Sequence, residues 1–332
     1  MFNKKMFFRM LIIILIGILF ATIDTKEKPL DNYYLSSITA QGLSIYKYIG
    51  LGSNDYKSLS GDKINVAIID SGISYHKDIN SNRILFFKDF VSNKNIRYDD
   101  YGHGTFVAGI IGANGKLKGI APKVNFVVLK ALDRFGQTNR DTLYAAFDWV
   151  YKNYEKYSIK VVNLSVGVTP YLNYESDPLC KLIEQISNKG ITVICSAGNI
   201  GDTNDSNKIM SPGISPYVIT VGSCKNNRTF KITDDKMASF SVSGIQFSNY
   251  SKPDLVTLGV DILSLDYKTN DSYVTHSGTS LSCAIVTGFA ALLYEKCPNI
   301  STNKIRSHLI QSTIELKNEP RVNQGFGELF AK

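Results

Sequence analysis

The chain has 332 residues, with 37 Lys and Arg against 29 Asp and Glu, for a net charge of +8. Its 44% hydrophobic and 20% charged content is that of a globular protein, which excludes a disordered, collagen-like or coiled-coil chain. The positive balance suits acidic peptides or anionic cell-surface polymers. It is spread along the sequence without a dense basic stripe, so no nucleic-acid partner is expected.

Lys4, Lys5 and Arg9 precede an uncharged run from Met10 to Ile23, which is followed by Asp24, Lys26, Glu27 and Lys28. Cations ahead of an apolar run of about 14 residues, short of the about 20 that a spanning helix needs, read as an export signal over 1–23. No small-x-small triplet follows the run, so a cleaved, secreted form and a membrane-tethered form both stay open. Residues 24–62 read as an irregular lead-in, and one domain is expected over 63–332, large enough to bury a sizeable core. The five cysteines, Cys180, Cys195, Cys224, Cys283 and Cys297, are odd in number and well separated. They show no metal-ligand spacing and no disulfide framework. Cys195 and Cys283 lie in apolar segments, where a free cysteine acts as a small hydrophobe.

From Lys63 onward, β-branched runs alternate with helical patterns. Strands are expected at 64–69, 124–129, 161–164, 191–195 and 218–221, and helices near 105–111, 141–154 and 177–188. Apolar strands alternating with helices predict an α/β fold: a doubly wound, mostly parallel sheet with helices on both faces. Beyond about residue 225 the pattern turns irregular, then recovers in helices expected near 280–295 and 302–312.

Doubly wound sheets place chemistry just past the carboxyl ends of strands. The run from Ile64 to Ile69 ends in Asp70-Ser71-Gly72, a carboxylate at a strand tip that could equally be a turn former. In Gly102-His103-Gly104-Thr105, glycines flank a histidine at the mouth of a helix and let other backbone approach the imidazole. In Ser277-Gly278-Thr279-Ser280, a serine opens an apolar helix whose first N–H groups and positive dipole end suit developing negative charge. Each has a plain alternative in helix capping, but the three occur together in the order Asp, His, Ser.

In that order the chain resembles the subtilisin-like serine peptidases, from about Lys63 to about Ile314. Further landmarks are Gly119-Ile120-Ala121-Pro122, Leu129-Lys130-Ala131-Leu132-Asp133, Val162-Asn163-Leu164-Ser165-Val166-Gly167, Ser196-Ala197-Gly198-Asn199 and Lys252-Pro253-Asp254. The resemblance implies that Ser280 is the nucleophile, His103 the general base and then acid, and Asp70 the group that orients His103. It gives Asn199 the role of oxyanion donor beside the Ser280 N–H. A peptide or protein substrate would lie extended between Ser165, Val166 and Gly167 on one side and the segment near Gly136 on the other. The primary pocket would have its floor near Met210, with Ile200 after Asn199. No acid stands at either place, so apolar P1 side chains are expected over arginine, although Asp202 and Asp205 lie in the adjoining loop.

Three departures stand out. The lead-in is too short for the long propeptide of many relatives, which puts self-activation in doubt. Its stretch Leu35-Ser36-Ser37-Ile38-Thr39-Ala40-Gln41-Gly42 is similar to the lead-in of peptidases that trim leader peptides from lantibiotics. Relatives often bind calcium between the histidine helix and the Gly-x-Ala-Pro landmark. Here 112–118 offers one amide and two lysines, so no cofactor and no metal is expected. Ala284 stands where proline is usual, and a straighter helix follows. His276, His76 and His308 read as polar loop histidines.

The leading expectation is a monomeric, exported endopeptidase, either a dedicated processing enzyme or a general degradative one. A catalytically silent peptide-binding fold is the alternative. An α/β-hydrolase esterase fails, because Ser282 replaces the second glycine of the nucleophile elbow and the triad order differs.

Overall fold

The computed structural model describes residues 35–36, 44–171, 173–200, 208–227, 229, 231–242, 244–246 and 250–331. The expected export signal and most of the lead-in lie outside them. Seven strands carry the sheet: β1 (Asn65–Asp70), β2 (Ile84–Asp89), β3 (Asn125–Lys130), β4 (Ile159–Leu164), β5 (Thr192–Ser196), β6 (Val218–Lys225) and β7 (Leu255–Leu258). A hairpin follows, β8 (Ile262–Leu265) with β9 (Tyr273–His276), and then short edge strands β10 (Thr313–Ile314) and β11 (Glu328–Leu329). Across the sheet the order is β10-β11-β7-β6-β5-β4-β1-β3-β2, with Lys236–Met237 antiparallel on β6. The pairs from β2 through to β11 are parallel, and β10 is antiparallel to β11. The chain runs from β1 to β2 and back to β3, then crosses to β4. β1 therefore borders the topological switch, where open α/β sheets leave a crevice at their carboxyl ends.

The strands are apolar on both faces because both faces are covered. Val66 and Ile68 enter one core layer, and Ala67 and Ile69 the other. The second layer holds α2 (Arg140–Asn153) and α3 (Pro178–Asn188), amphipathic helices that bury Leu143, Ala146, Phe147 and Val150, and Leu179, Leu182, Ile183 and Ile186. These spacings keep one stripe inward. Side chains of Asn139 and Asp177 cap the two helices, and Pro178 takes the first helical position. The first layer holds α1 (His103–Gly112), α4 (Thr279–Lys296) and α5 (Thr302–Gln311). α4 runs unbroken and is buried from Thr279 through Tyr294. It is the central helix, and each of its buried leucines, its isoleucine and its phenylalanine contributes about 1.5–3 kcal/mol of burial. Among the described residues no helix is long and apolar enough to cross a membrane.

One charged cluster is buried between β6 and α5. Lys252 Nζ donates to the carbonyl of Val218 at 2.8 Å and to Asp254 Oδ2 at 2.7 Å, while Arg306 donates to Asp254 Oδ1 and to the carbonyls of Val218 and Pro216. Burial pushes the Lys252 amine down to about 8, against the pull of Asp254. Burial alone would raise Asp254, but Arg306 and Lys252 hold it below the usual carboxylate range.

Candidate active site

Asp70 closes β1, and both its oxygens face Nδ1 of His103, at 2.8 and 3.0 Å. Oδ1 also accepts the Ser71 N–H at 2.7 Å. A carboxylate on Nδ1 places the ring proton there and leaves Nε2 as the nitrogen for proton transfer. The His103 side chain is 26% exposed and that of Asp70 0%, so the carboxylate is shielded from water while the imidazole opens outward.

The glycines around His103 act as expected. A Cβ at Gly104 would lie 2.2 Å from the carbonyl oxygen of Gly72. Gly102, at φ +95°, leaves room for the Tyr267 ring. The start of α1 is then held by a residue the sequence reading passed over. Asp99 Oδ1 accepts the Ser71 hydroxyl at 2.8 Å and the Gly102 N–H at 2.7 Å, and Oδ2 accepts the N–H and hydroxyl of Thr105 at 2.9 and 2.6 Å. Ser71 Oγ accepts the Gly104 N–H at 2.8 Å. One buried carboxylate thus ties the loop after β1 to the first turn of the histidine helix. An acid three residues before Gly102 is the kind of helix-start signal that could have flagged it.

Lys130, paired with Asp70 across β1 and β3, supports the same loop. Its buried Nζ donates to the carbonyls of Ser71 and Leu132, at 2.7 and 2.8 Å, and to Asp100 at 2.6 Å.

On the other side, Ser280 lies in the first turn of α4, and its hydroxyl donates to the Ser165 carbonyl at 3.1 Å. Ile69 and Leu164 are register partners, so Asp70 and Ser165 leave adjacent strand ends about 5 Å apart. The Ser280 hydroxyl is thus held at a strand end that neighbours the one bearing Asp70. Asn199, just past β5, accepts from the Thr279 N–H at 3.0 Å and the Thr279 hydroxyl at 3.2 Å, both through Oδ1. That hydroxyl accepts the Gly198 N–H at 3.2 Å. The bonds fix which end of the Asn199 amide is the donor. Neither Thr279 nor Ser280 caps α4: Gly278 is the N-cap and brings no side chain.

The expected substrate residues also gather here. A Cβ on Gly167 would meet Met210 Cβ at 2.4 Å, and one on Gly198 would meet Met210 Cγ at 3.6 Å, so Met210 lies between the two backbones. Val168 and Ser211 exchange backbone hydrogen bonds at 2.9 Å, joining the segment after β4 that carries Ser165, Val166 and Gly167 to the Met210 segment. Gly136, at φ +73°, faces the Tyr101 ring, whose centre is 6.3 Å from the His103 imidazole. The Asp133 carboxylate accepts the N–H groups of Gln137 and Phe135, which hold its pKa below the usual range and shape this wall. Asp202 and Asp205 lie outside the described residues.

The histidine readings need correction. His76 does lie in a loop but is buried there: its Nδ1 accepts the Asp78 N–H at 3.1 Å, and its Nε2 lies 3.1 Å from the Ser272 carbonyl oxygen. His276 closes β9 and lies 4.9 Å from the Phe106 ring; burial and the nearby His103 push its pKa down. His308 is exposed, but on α5 rather than in a loop. In the loop expected to have lost calcium, Asp78 accepts the N–H groups of Lys116 and Leu117 at 3.0 and 2.7 Å and the Tyr273 hydroxyl at 2.8 Å. All five cysteines are free, and Cys297 is the exposed one.

Comparison with known proteins agrees with this geometry. A sequence profile of the subtilase family matches residues 61–328. Serine protease AprX of Bacillus subtilis (strain 168) is 33% identical over 298 residues, which cover 83% of this chain and 67% of that protein. Subtilisin DY of Bacillus licheniformis is 29% identical over 280 residues, covering 83% of this chain and 91% of that one. Among solved structures, Sphericase aligns with a TM-score of 0.71 at 24% identity, covering 82% of this chain and 93% of its own, a likeness of fold. A cold adapted subtilisin-like serine proteinase aligns at 0.66 and 26% identity, over 82% of this chain and 90% of that chain. The chain belongs to the subtilase family of serine proteases.

Proposed function

We propose that the chain is an endopeptidase that cleaves through an acyl-enzyme on Ser280, with His103 as general base and then acid and Asp70 as its orienting partner. The observation that carries this reading is the bonding of His103 Nδ1 to the buried Asp70 carboxylate, next to a strand end whose Ser165 carbonyl holds the Ser280 hydroxyl. To react, the hydroxyl turns from that carbonyl to His103 Nε2, gives up its proton and attacks the scissile carbonyl. The resulting oxyanion is met by the Asn199 side-chain amide and the Ser280 N–H, which lies in a first helical turn with no acceptor of its own. The imidazolium, stabilised by Asp70, returns its proton to the leaving amine, and water then repeats the sequence to release the acyl group.

Substrate is proposed to lie extended between Ser165, Val166 and Gly167 and the wall near Gly136, adding a strand by main-chain hydrogen bonds. Met210 between two glycine backbones supports an apolar P1 preference. In a P1 scan of fluorogenic peptides, leucine, methionine or phenylalanine is expected to lead, and an arginine optimum would overturn this assignment.

We propose domain bounds of an export signal over 1–23, a lead-in over 24–62 and the peptidase domain over 63–332. Release from the cell and a monomeric state are part of this reading, and the resemblance of residues 35–42 supports a dedicated precursor with a leader as substrate. Folding without calcium at residues 112–118 is supported by Asp78, whose oxygens accept hydrogen bonds from that loop. The test is hydrolysis of internally quenched peptides by the purified chain and by Ser280→Ala. Turnover is expected only in the former, and a folded parent without turnover would favour a silent binding protein.

A further inference from the structure

A second cluster of reactive groups lies away from the cleft. Cys224 near the end of β6, Asp235 after the turn at Ile232–Asp234, and Glu328 at the start of β11 are all buried, and one donor atom from each lies within 4.8 Å of the others. Glu328 is 0% exposed, and among the described residues neither of its carboxylate oxygens has a well-formed hydrogen bond, its polar neighbours being the Cys224 thiol and the Asp235 carboxyl. The charged neighbours that act on it are Asp235 and Cys224, both acids. A buried acid that faces only two other acids lacks a compensating cation, and its ionised form is costly to leave so. Asp235, in contrast, is firmly oriented: the Tyr48 hydroxyl donates to Oδ2 at 2.6 Å, and Asn226 Nδ2 and the Asn227 N–H donate to Oδ1 at 3.2 and 3.1 Å.

We propose that Cys224, Asp235 and Glu328 form a structural site for a divalent transition-metal ion, with zinc the best fit. The missing partner of Glu328 is then the ion itself, and the donors on Asp235 are the outer hydrogen bonds that orient a metal ligand. A thiolate beside two carboxylates selects zinc or a related soft-tolerant ion over calcium and magnesium, which take oxygen donors only. A thiol and a carboxyl bind the ion only when deprotonated, so their protons leave to solvent as a doubly charged ion enters.

The location gives the ion a structural task. Tyr48 belongs to the helical turn that precedes the sheet, Cys224 to a central strand, and Glu328 to β11, between β7 and the edge strand β10. The Ala331 N–H also donates to the Ile49 carbonyl at 2.7 Å, so the ion would fasten the two ends of the domain to the sheet. The Cys224 carbonyl accepts the Gly259 N–H, and the Gly259 carbonyl accepts the Gly278 N–H, two residues before the proposed nucleophile. The sequence reading expected no metal because it searched for spacing along the chain. These ligands come from separate strands and a turn.

The test uses the full chain carrying Ser280→Ala and Cys297→Ser, which removes self-digestion and the exposed thiol and leaves the cluster intact. After refolding with zinc and desalting, about one zinc per chain is expected by elemental mass spectrometry, and the melting temperature should exceed that of chelator-treated chain. Cobalt in place of zinc should give a near-ultraviolet thiolate-to-metal charge-transfer band. Cys224→Ser and Glu328→Gln should each lose the ion and the band. A folded chain that retains neither zinc nor a cobalt band overturns the proposal, as does an ion that both variants retain. If the variants fail to fold, the band and zinc content of the parent still decide.

Discussion

The sharpest consequence of the oxyanion geometry concerns Asn199. Its Oδ1 is committed to two donors on Thr279, so in the proposed mechanism its amide nitrogen has the catalytic role and its oxygen a structural one, and two substitutions separate them. Asn199→Ala removes both. The lost donor should lower kcat by about 10² to 10³, or about 2.7–4 kcal/mol, a range established on a subtilisin. The same change strands the buried Thr279 N–H and should cost about 1–3 kcal/mol of stability. Asn199→Asp keeps an acceptor for Thr279 but places a negative charge beside the developing oxyanion, so it should be more stable than the alanine variant and less active. The assay is steady-state hydrolysis of a fluorogenic peptide, read as kcat and KM separately, with denaturant melts of both variants in the Ser280→Ala background. Loss in kcat with KM nearly unchanged marks an interaction made in the transition state. If activity instead follows stability, with the aspartate variant the more active, Asn199 is a structural residue and the oxyanion assignment fails.

Asp70→Asn should preserve the fold yet lower kcat by about 10⁴, the loss seen when this change selects the wrong imidazole tautomer in a serine triad; steady-state rates with the same peptide would show it, and a loss under tenfold would count against the role. Added calcium should leave the melting temperature of the Ser280→Ala chain unchanged if the Asp78 loop needs no ion, whereas a clear rise would locate a calcium site. Asp254→Ala leaves the buried Lys252 and the partly buried Arg306 without their shared carboxylate, and urea melts should show a loss of about 3–5 kcal/mol. Because Asp254 is held below the usual range, its contribution is complete above the unfolded carboxylate pKa of about 3.9 and is lost as pH falls through its lower folded value. The alanine variant should therefore lack that part of the acid-side decline in stability.

The central strands and the five helices were legible because each carries a period matched to its surroundings. Val66 to Ile69 is apolar on both faces, and α2 and α3 show a single stripe. β2 escaped the reading because it is an edge strand paired only with β3, and Ile84 to Lys88 remain partly exposed. The hairpin of β8 and β9 was hidden in the irregular pattern after residue 225, since Tyr273 to His276 bury little. The motif residues were found because glycine-flanked histidine and serine at a helix start leave local signatures. Asp99 stood in a local helix-start position that was passed over, whereas Lys130 and Thr279 act across distances that no local pattern records. Thr279 looked like a cap and instead bridges to Gly198 and Asn199. Cys224, Asp235 and Glu328 meet only because strand register and the closing strand bring them together.

The most direct measurement is to map the adduct of a fluorophosphonate probe on the folded chain by peptide mass spectrometry. The account predicts a single adduct on Ser280, absent in Ser280→Ala and strongly slowed in His103→Ala. An adduct on another residue, or labelling of Ser280 at the same rate without His103, would contradict it.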